Sequence, residues 1–231
     1  ENIAAKYGIA RREQDELALM SHQRARAAIA SGAVADEIVP VVIPSKKGDV
    51  TFMVDERPMD TSLEKMAKLP PAFKKDGGTV TAGNASGIND GASAMVIMSA
   101  QKAEELGLKP LARITAVGRG ACHPSVMGLG PVPAVNNLLK KSGLKISDFE
   151  QIELNEAFAA QYLGCEKELK LKRELTNING SGIGLGHPVG STGCRILVTL
   201  MHSMRKRGKT LGMATLCGGG GVSMACVIEA M

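Results

Sequence analysis

Tryptophan is absent, and aromatic residues make up only 3% of the chain. That scarcity argues against a nucleic-acid platform, in which aromatic rings stack on bases. Long apolar runs are missing too. No uninterrupted stretch could span a bilayer, no signal peptide is recognisable, and neither a membrane nor a nucleic-acid partner is expected. The five cysteines, at positions 122, 165, 194, 217 and 226, form no C-x-x-C pair and none of the usual zinc spacings. They read as reduced thiols of a cytoplasmic protein, with no metal site. No register of the glycines from Gly180 to Gly193 supplies the G-x-G-x-x-G dinucleotide fingerprint. Gly208-Lys209-Thr210 looks like the end of a phosphate loop, but the glycine required five positions earlier is Ser203. A strong excess of one charge is also lacking. The formal balance of +5 is scattered along the chain, which fits a solvated surface and tolerates a small anionic substrate.

What is abundant is glycine, alanine and methionine, in a chain of 231 residues that is 44% hydrophobic and 22% charged. This suits one large globular domain or two smaller ones built from closely packed, small-residue elements. The first residue is Glu1, not methionine, and it leads straight into a helical pattern, as expected of a chain whose N-terminal portion is missing. Helices are expected over residues 1–8 and 11–31, each stopped by a glycine. A hairpin follows, with strands at 38–43 and 50–54 around Lys46-Lys47-Gly48-Asp49. After a loop-rich stretch with a short helix at 63–67, residues 79–87 read as a strand entering a small-residue turn. From there strands (112–117, 149–154, 176–179, 211–216, 222–229) alternate with helices (101–106, 132–141, 155–169 and one opening near Arg195). The pattern is that of an α/β fold, a mixed sheet covered by helices on both faces.

The segment 179–193 organises the second half. It is rich in glycine, and its only ionisable side chain is His187, followed by Pro188. Glycine lets backbone pass close to a ligand, and proline stiffens the mounting of the imidazole. The loop opens onto an apolar helix, whose first N–H groups lack internal partners. Two further segments follow predicted strands: Asn155-Glu156-Ala157-Phe158-Ala159 and Cys217-Gly218-Gly219-Gly220-Gly221. All three would lie at one edge of the sheet, where α/β proteins bind ligands. Together they offer an amide, a carboxylate, an imidazole, a thiol and free backbone N–H donors, a set suited to acid/base chemistry or to an oxyanion. Taken singly, Cys217 fits a small buried hydrophobe better, and Glu156 a partner for a helix dipole.

These residues carry a resemblance. Asn-Glu-Ala-Phe-Ala (155–159), Gly-His-Pro-Val-Gly (186–190) and Cys-Gly-Gly-Gly-Gly (217–221) resemble the three C-terminal signatures of thiolases. Residues 81–91, Thr-Ala-Gly-Asn-Ala-Ser-Gly-Ile-Asn-Asp-Gly, are similar to that family's entry into its C-terminal core. The similarity covers essentially the whole chain and lies nearest the biosynthetic branch, which condenses two acetyl-CoA molecules to acetoacetyl-CoA or runs the reverse thiolysis. It implies part of a CoA-binding loop domain over 1–88 and a C-terminal thiolase core over 89–231.

The resemblance also implies roles. His187 would activate a nucleophilic cysteine and help hold a thioester oxygen, Asn155 would position a water at that oxyanion site, and Cys217 would exchange the α-proton. The Gly219 N–H would help form a second oxyanion hole. Phe73, Ala82, Gly83 and Ser86 would lie along the pantetheine, Ala157 and Phe158 at its reacting end, and Arg57 near the adenine or phosphates. No cofactor is implied beyond the coenzyme A esters, acetyl-CoA and acetoacetyl-CoA, that are substrates. A thiolase also needs an acyl-accepting cysteine in a motif like Val-Cys-x-Ser-Gly, and none occurs here. The expectation is a chain inactive alone, partnered by an N-terminal thiolase half in a homo-oligomer, a tetramer by resemblance. A non-catalytic acyl-CoA or lipid binding module is the alternative. A self-contained Cys217–His187 hydrolase pair is a third.

Overall fold

The computed structural model describes residues 1–231. Helix α1 (Asn2–Tyr7) stops where Gly8 adopts a left-handed conformation, and α2 (Arg11–Ala30) follows. Ala10 has no side chain to cap α2, but the Glu13 carboxylate accepts the Ala10 N–H at 2.8 Å and closes that end. One side of α2 is apolar through Leu17, Ala18, Ala25 and Ala28. The same helix also buries Gln14, Asp15, Ser21 and His22, which its apolar spacing does not anticipate. Strands β1 (Val41–Ile43) and β2 (Val50–Phe52) form the expected hairpin, shorter at its open end and exposed on both faces. Short helices α3 (Leu63–Ala67) and α4 (Ala100–Glu105) are each capped by a serine hydroxyl, from Ser62 and Ser99.

The second half is the sheet. Its strands are β3 (Ala112–Ala121), β4 (Gln151–Leu154), β5 (Leu211–Cys217) and β6 (Val222–Ala230), in the order β3-β6-β5-β4. Only β4 and β5 run parallel. Neighbouring residues of a strand point to opposite faces, and β5 shows what each face meets. Met213 joins the larger core with α5 (Pro131–Ser142), α6 (Ala159–Leu169) and the first two helices. Ala214 joins a smaller core under α8 (Thr192–Lys206), with Ile196, Leu200 and Met204. The fold is therefore a mixed α/β sheet covered by helices on both faces. On the α8 side the cover is partial: Ile114 and Val117 of β3 and Val222 and Met224 of β6 stay exposed. No helix is long and apolar enough to cross a membrane.

Four expected elements differ, each for a local reason. Residues 79–87 form isolated bridges rather than a strand, because side chains take over the backbone groups. Thr81 N–H donates to Asn84 Oδ1 (2.8 Å), and Gly83 and Asn84 N–H donate to Thr81 Oγ1. Helix α6 begins at Ala159, not at 155. Asn155 N–H continues the strand pairing to Thr215 O (3.1 Å), and Gln161 Oε1 holds the Ala157 and Phe158 N–H groups. The predicted strand at 176–179 is reduced to one bridge to Ile152, since Asn177 turns left-handed at φ 51°. Strand β3 runs on to Ala121 through Gly118 and Gly120, where α5 packs directly on the strand. A Cβ at Gly120 would stand 2.3 Å from Ala134 N.

Candidate active site

Strand β4 ends at Leu154, and its end is closed by Asn177. That side chain accepts Leu154 N–H (2.9 Å) and donates to Leu154 O (2.7 Å), standing in for a neighbouring strand. Asn155 follows directly, fully buried. Because β4 and β5 run parallel in register Leu154↔Thr215, Asn155 emerges beside the end of β5, which is Cys217.

The glycine loop reaches the same edge by a route the sequence does not show. A one-turn helix, α7 (Gly182–Leu185), leads to Gly186 at φ 102°. Asn89 packs there, its Oδ1 accepting the His187 N–H at 3.3 Å, and a Cβ at Gly186 would stand 2.6 Å from that oxygen. His187 is half-buried between two partners, with Nε2 3.4 Å from Asn155 Nδ2 and Nδ1 2.7 Å from Thr192 Oγ1. Burial, and then the positive charge of Arg195, hold its pKa below the usual histidine value, so the resting imidazole is neutral at physiological pH.

Cys217 is 7% exposed, and burial pushes its thiol up to about 11, so it rests protonated. No hydrogen bond joins it to His187. Beyond it the chain folds back through Gly218, whose N–H donates to Val222 O (2.7 Å). Gly219 and Gly220 are exposed at the tip. Gly221, at φ 94°, donates to Gly218 O (3.2 Å), and its carbonyl accepts Cys122 N–H (3.0 Å).

The residues expected along the pantetheine come together around Phe158. Ser86 N–H donates to Ala157 O (3.0 Å), Ala85 bridges Phe158, and the Phe73 and Phe158 rings meet edge to face at 6.0 Å. Phe73 is nonetheless 69% exposed, so one side of this aromatic pair faces solvent. Arg57 spans the turn from outside, its guanidinium donating to Ala85 O (3.2 Å) and Ala82 O (3.5 Å), and burial lowers its pKa. Gly83 is buried and Ala82 exposed in that turn. Ile88 then bridges His187, which ties this group to the histidine. A cleft of about 240 Å³ runs past Phe73, Phe158, Val126 and Met127. A larger one, about 560 Å³, lies between the hairpin and α8, bordered by Glu37, Asp55, Asn89 and Arg195. Neither His187 nor Cys217 lines either cleft.

Glu156 is not part of this surface. It is fully buried and accepts from Ser21 Oγ (2.5 Å), Asn177 Nδ2 (2.9 Å) and Ile183 N–H (3.4 Å). It fastens α2 and the glycine loop to the end of β4, so its part is architectural and not that of a helix-dipole partner. Sequence reasoning also missed Asn89 and Thr192. Asn89 lies 98 positions from His187 and leaves no sequence signal, whereas Thr192 could have been found once the start of α8 was fixed.

The arrangement can do general acid/base work: a neutral imidazole and an amide face one point, with a protonated thiol and a glycine turn at the adjacent strand end. Known proteins resemble the chain as a whole. The family model "Thiolase, N-terminal domain" matches residues 1–101, and "Thiolase, C-terminal domain" matches 108–230. The chain is 55% identical to an acetyl-CoA acetyltransferase of Chromobacterium violaceum, covering 99% of this chain and 59% of that protein. It is 54% identical to the Escherichia coli acetyl-CoA acetyltransferase, covering 99% and 58%. The solved Bacillus anthracis acetyl-CoA acetyltransferase superposes with a TM-score of 0.97 at 52% identity, over all of this chain and 58% of that one. Human mitochondrial 3-ketoacyl-CoA thiolase gives 0.93 at 45% identity, with the same coverage. The chain thus spans somewhat under three-fifths of the length of these relatives.

Proposed function

We propose, from the premise that the chain belongs to the thiolase family, that residues 1–231 supply the acid/base half of an acetyl-transfer site. Its substrates are acetyl-CoA and acetoacetyl-CoA. The observation that carries this reading is the meeting of His187 Nε2 and Asn155 Nδ2, 3.4 Å apart, beside the strand that ends in Cys217.

In condensation, Cys217 gives its thiol proton to the CoA that leaves when a nucleophilic cysteine is acetylated. As thiolate it then takes the α-proton from a second acetyl-CoA, and the resulting enolate carbon attacks the acetyl thioester on that cysteine. The new C–C bond forms as that cysteine leaves as thiolate. In thiolysis the same thiol returns its proton to the departing carbon, and its resting protonated state suits that step. His187 withdraws the proton that activates the nucleophilic cysteine and, with a water held by Asn155, supports the oxygen of the second thioester. The Gly219 N–H supports the other oxyanion, since preformed donors act most strongly where charge develops. Phe73, Ser86, Ala82, Gly83, Ala157 and Phe158 guide the pantetheine, and Arg57 steadies the turn that carries Ala82, Gly83 and Ser86.

The nucleophilic cysteine comes from an N-terminal thiolase half. The bare α8-side strip of Ile114, Val117, Val222 and Met224, and the exposed run at Val96 and Ile97, support a further packing partner. The chain alone is therefore inactive, and the working form is a cytoplasmic homo-oligomer that needs no cofactor.

The test is acetoacetyl-CoA thiolysis by this chain alone and mixed with a separately produced N-terminal thiolase half. Activity in the mixture only, lost in His187→Ala and Cys217→Ala, is the expected result. Turnover by the chain alone refutes the division of labour. Silence in both, with CoA-ester binding retained, assigns the chain to a non-catalytic acyl-CoA binding module instead.

A further inference from the structure

We infer that Thr192 is a positioning residue that locks His187 in a single tautomer, with the proton on Nδ1 and the lone pair on Nε2. Thr192 is fully buried at the first position of α8, and its hydroxyl has two partners. One is Pro188 O at 2.9 Å, four residues back. The other is His187 Nδ1 at 2.7 Å. In the first bond the hydroxyl is the donor and the carbonyl the acceptor, so the single hydroxyl proton lies toward Pro188. The hydroxyl oxygen then has only a lone pair to offer His187, and Nδ1 must carry the hydrogen of that bond.

The far side of the ring agrees. Nε2 faces Asn155 Nδ2, a donor, at 3.4 Å, while Asn155 Oδ1 points the other way, against Gly182, where a Cβ would stand 2.8 Å from it. The opposite tautomer would set N–H against N–H across that gap. Asn155 is fully buried, which raises the cost of an unmatched donor pair. Pro188 is central to the lock. Its carbonyl also accepts the Ser191 and Thr192 N–H groups (2.8 and 3.0 Å), which fixes the first turn of α8 against the loop that mounts the histidine.

The catalytic consequence rests on the function proposed above: a lone pair on Nε2, held beside Asn155, is the form of the ring that accepts a proton from a thiol. The tautomer itself does not depend on that reading and is measured without turnover. Long-range ¹H–¹⁵N spectra of the ¹⁵N-labelled chain at pH 8 report the protonation of each ring nitrogen. The His187 signals are assigned by their loss in His187→Gln. The expected result is a protonated Nδ1 in the wild type and in Thr192→Ser. In Thr192→Val the Nδ1–H to Nε2–H ratio should fall by about tenfold, the equivalent of one net hydrogen bond.

A wild-type ring protonated on Nε2, or an unchanged ratio in Thr192→Val, overturns the inference. If Thr192→Val does not fold, the wild-type and Thr192→Ser spectra still decide it. In the reconstituted mixture, Thr192→Val should lower kcat more than it changes KM, with Thr192→Ser restoring it. A locked tautomer in a mixture that shows no thiolysis would count against the proposed reaction and leave the lock standing.

Discussion

Removing the Ser21 hydroxyl should be far more damaging than its size suggests. Ser21 lies on α2, fully buried, and its oxygen joins three separate segments. It donates to Glu156 Oε2 at 2.5 Å and accepts the N–H groups of Gly184 (3.0 Å) and Ser181 (3.3 Å). In Ser21→Ala the carboxylate loses one of its three donor groups. A hydrogen bond to a charged group is worth about 2 kcal/mol, and each buried amide left without its partner costs about 1 kcal/mol more. The sum is ~4 kcal/mol, equivalent to a fall of roughly 10 °C in Tm for a chain of this length. Little volume is lost, so cavity formation adds almost nothing. Urea unfolding of the chain measures the change, with Ser147→Ala as the control. Ser147 is exposed in the single turn Ile146–Asp148 and should shift stability by less than about 0.5 kcal/mol. A Ser21→Ala loss below about 1 kcal/mol would refute the claim that this hydroxyl joins α2 to the glycine loop.

Burial pushes the Glu153 carboxyl up to about 8, so between about pH 4.5 and 8 the folded chain holds a proton that the unfolded chain has released. Its contribution is therefore a stability that falls as pH rises through that window, by at most ~1.4 kcal/mol per pH unit, and levels off above it. Glu153→Gln should flatten the curve of unfolding free energy against pH between 5 and 8, and an unaltered slope contradicts the assignment. With its thiol raised from 9.0 to about 11, Cys217 should react with iodoacetamide about 100-fold more slowly at pH 7 than an unperturbed thiol, as peptide mapping can measure. Rapid labelling of Cys217 at pH 7 would count against its burial. Gly120→Ala should lower stability by about 3 kcal/mol, because the new methyl group would meet the α5 backbone 2.3 Å away. An unchanged Tm would mean that α5 does not lie on β3 as described.

The sequence by itself determined the class of fold, most of the helices and strands, and the family. Glycines 8, 32 and 143 end α1, α2 and α5 because a left-handed residue after the last turn is a local requirement. The apolar composition of β5 and β6 is likewise a property of each strand alone. The motifs around Asn155, His187 and Cys217 were legible because their residue types sit in unbroken runs.

What only the tertiary structure decided is where side chains displace the usual pattern. Asn177 closes β4 from 23 positions away, Gln161 delays the start of α6, and Gly120 extends β3 by making room for a helix. Asn89 and Thr192 seat the imidazole from opposite sides, and Glu156 turns inward to Ser21. Each is a contact between groups whose distance along the chain carries no information about their distance in space. Periodicity reports which face of an element is apolar; which buried polar group meets which partner is set by the packing that brings those faces together.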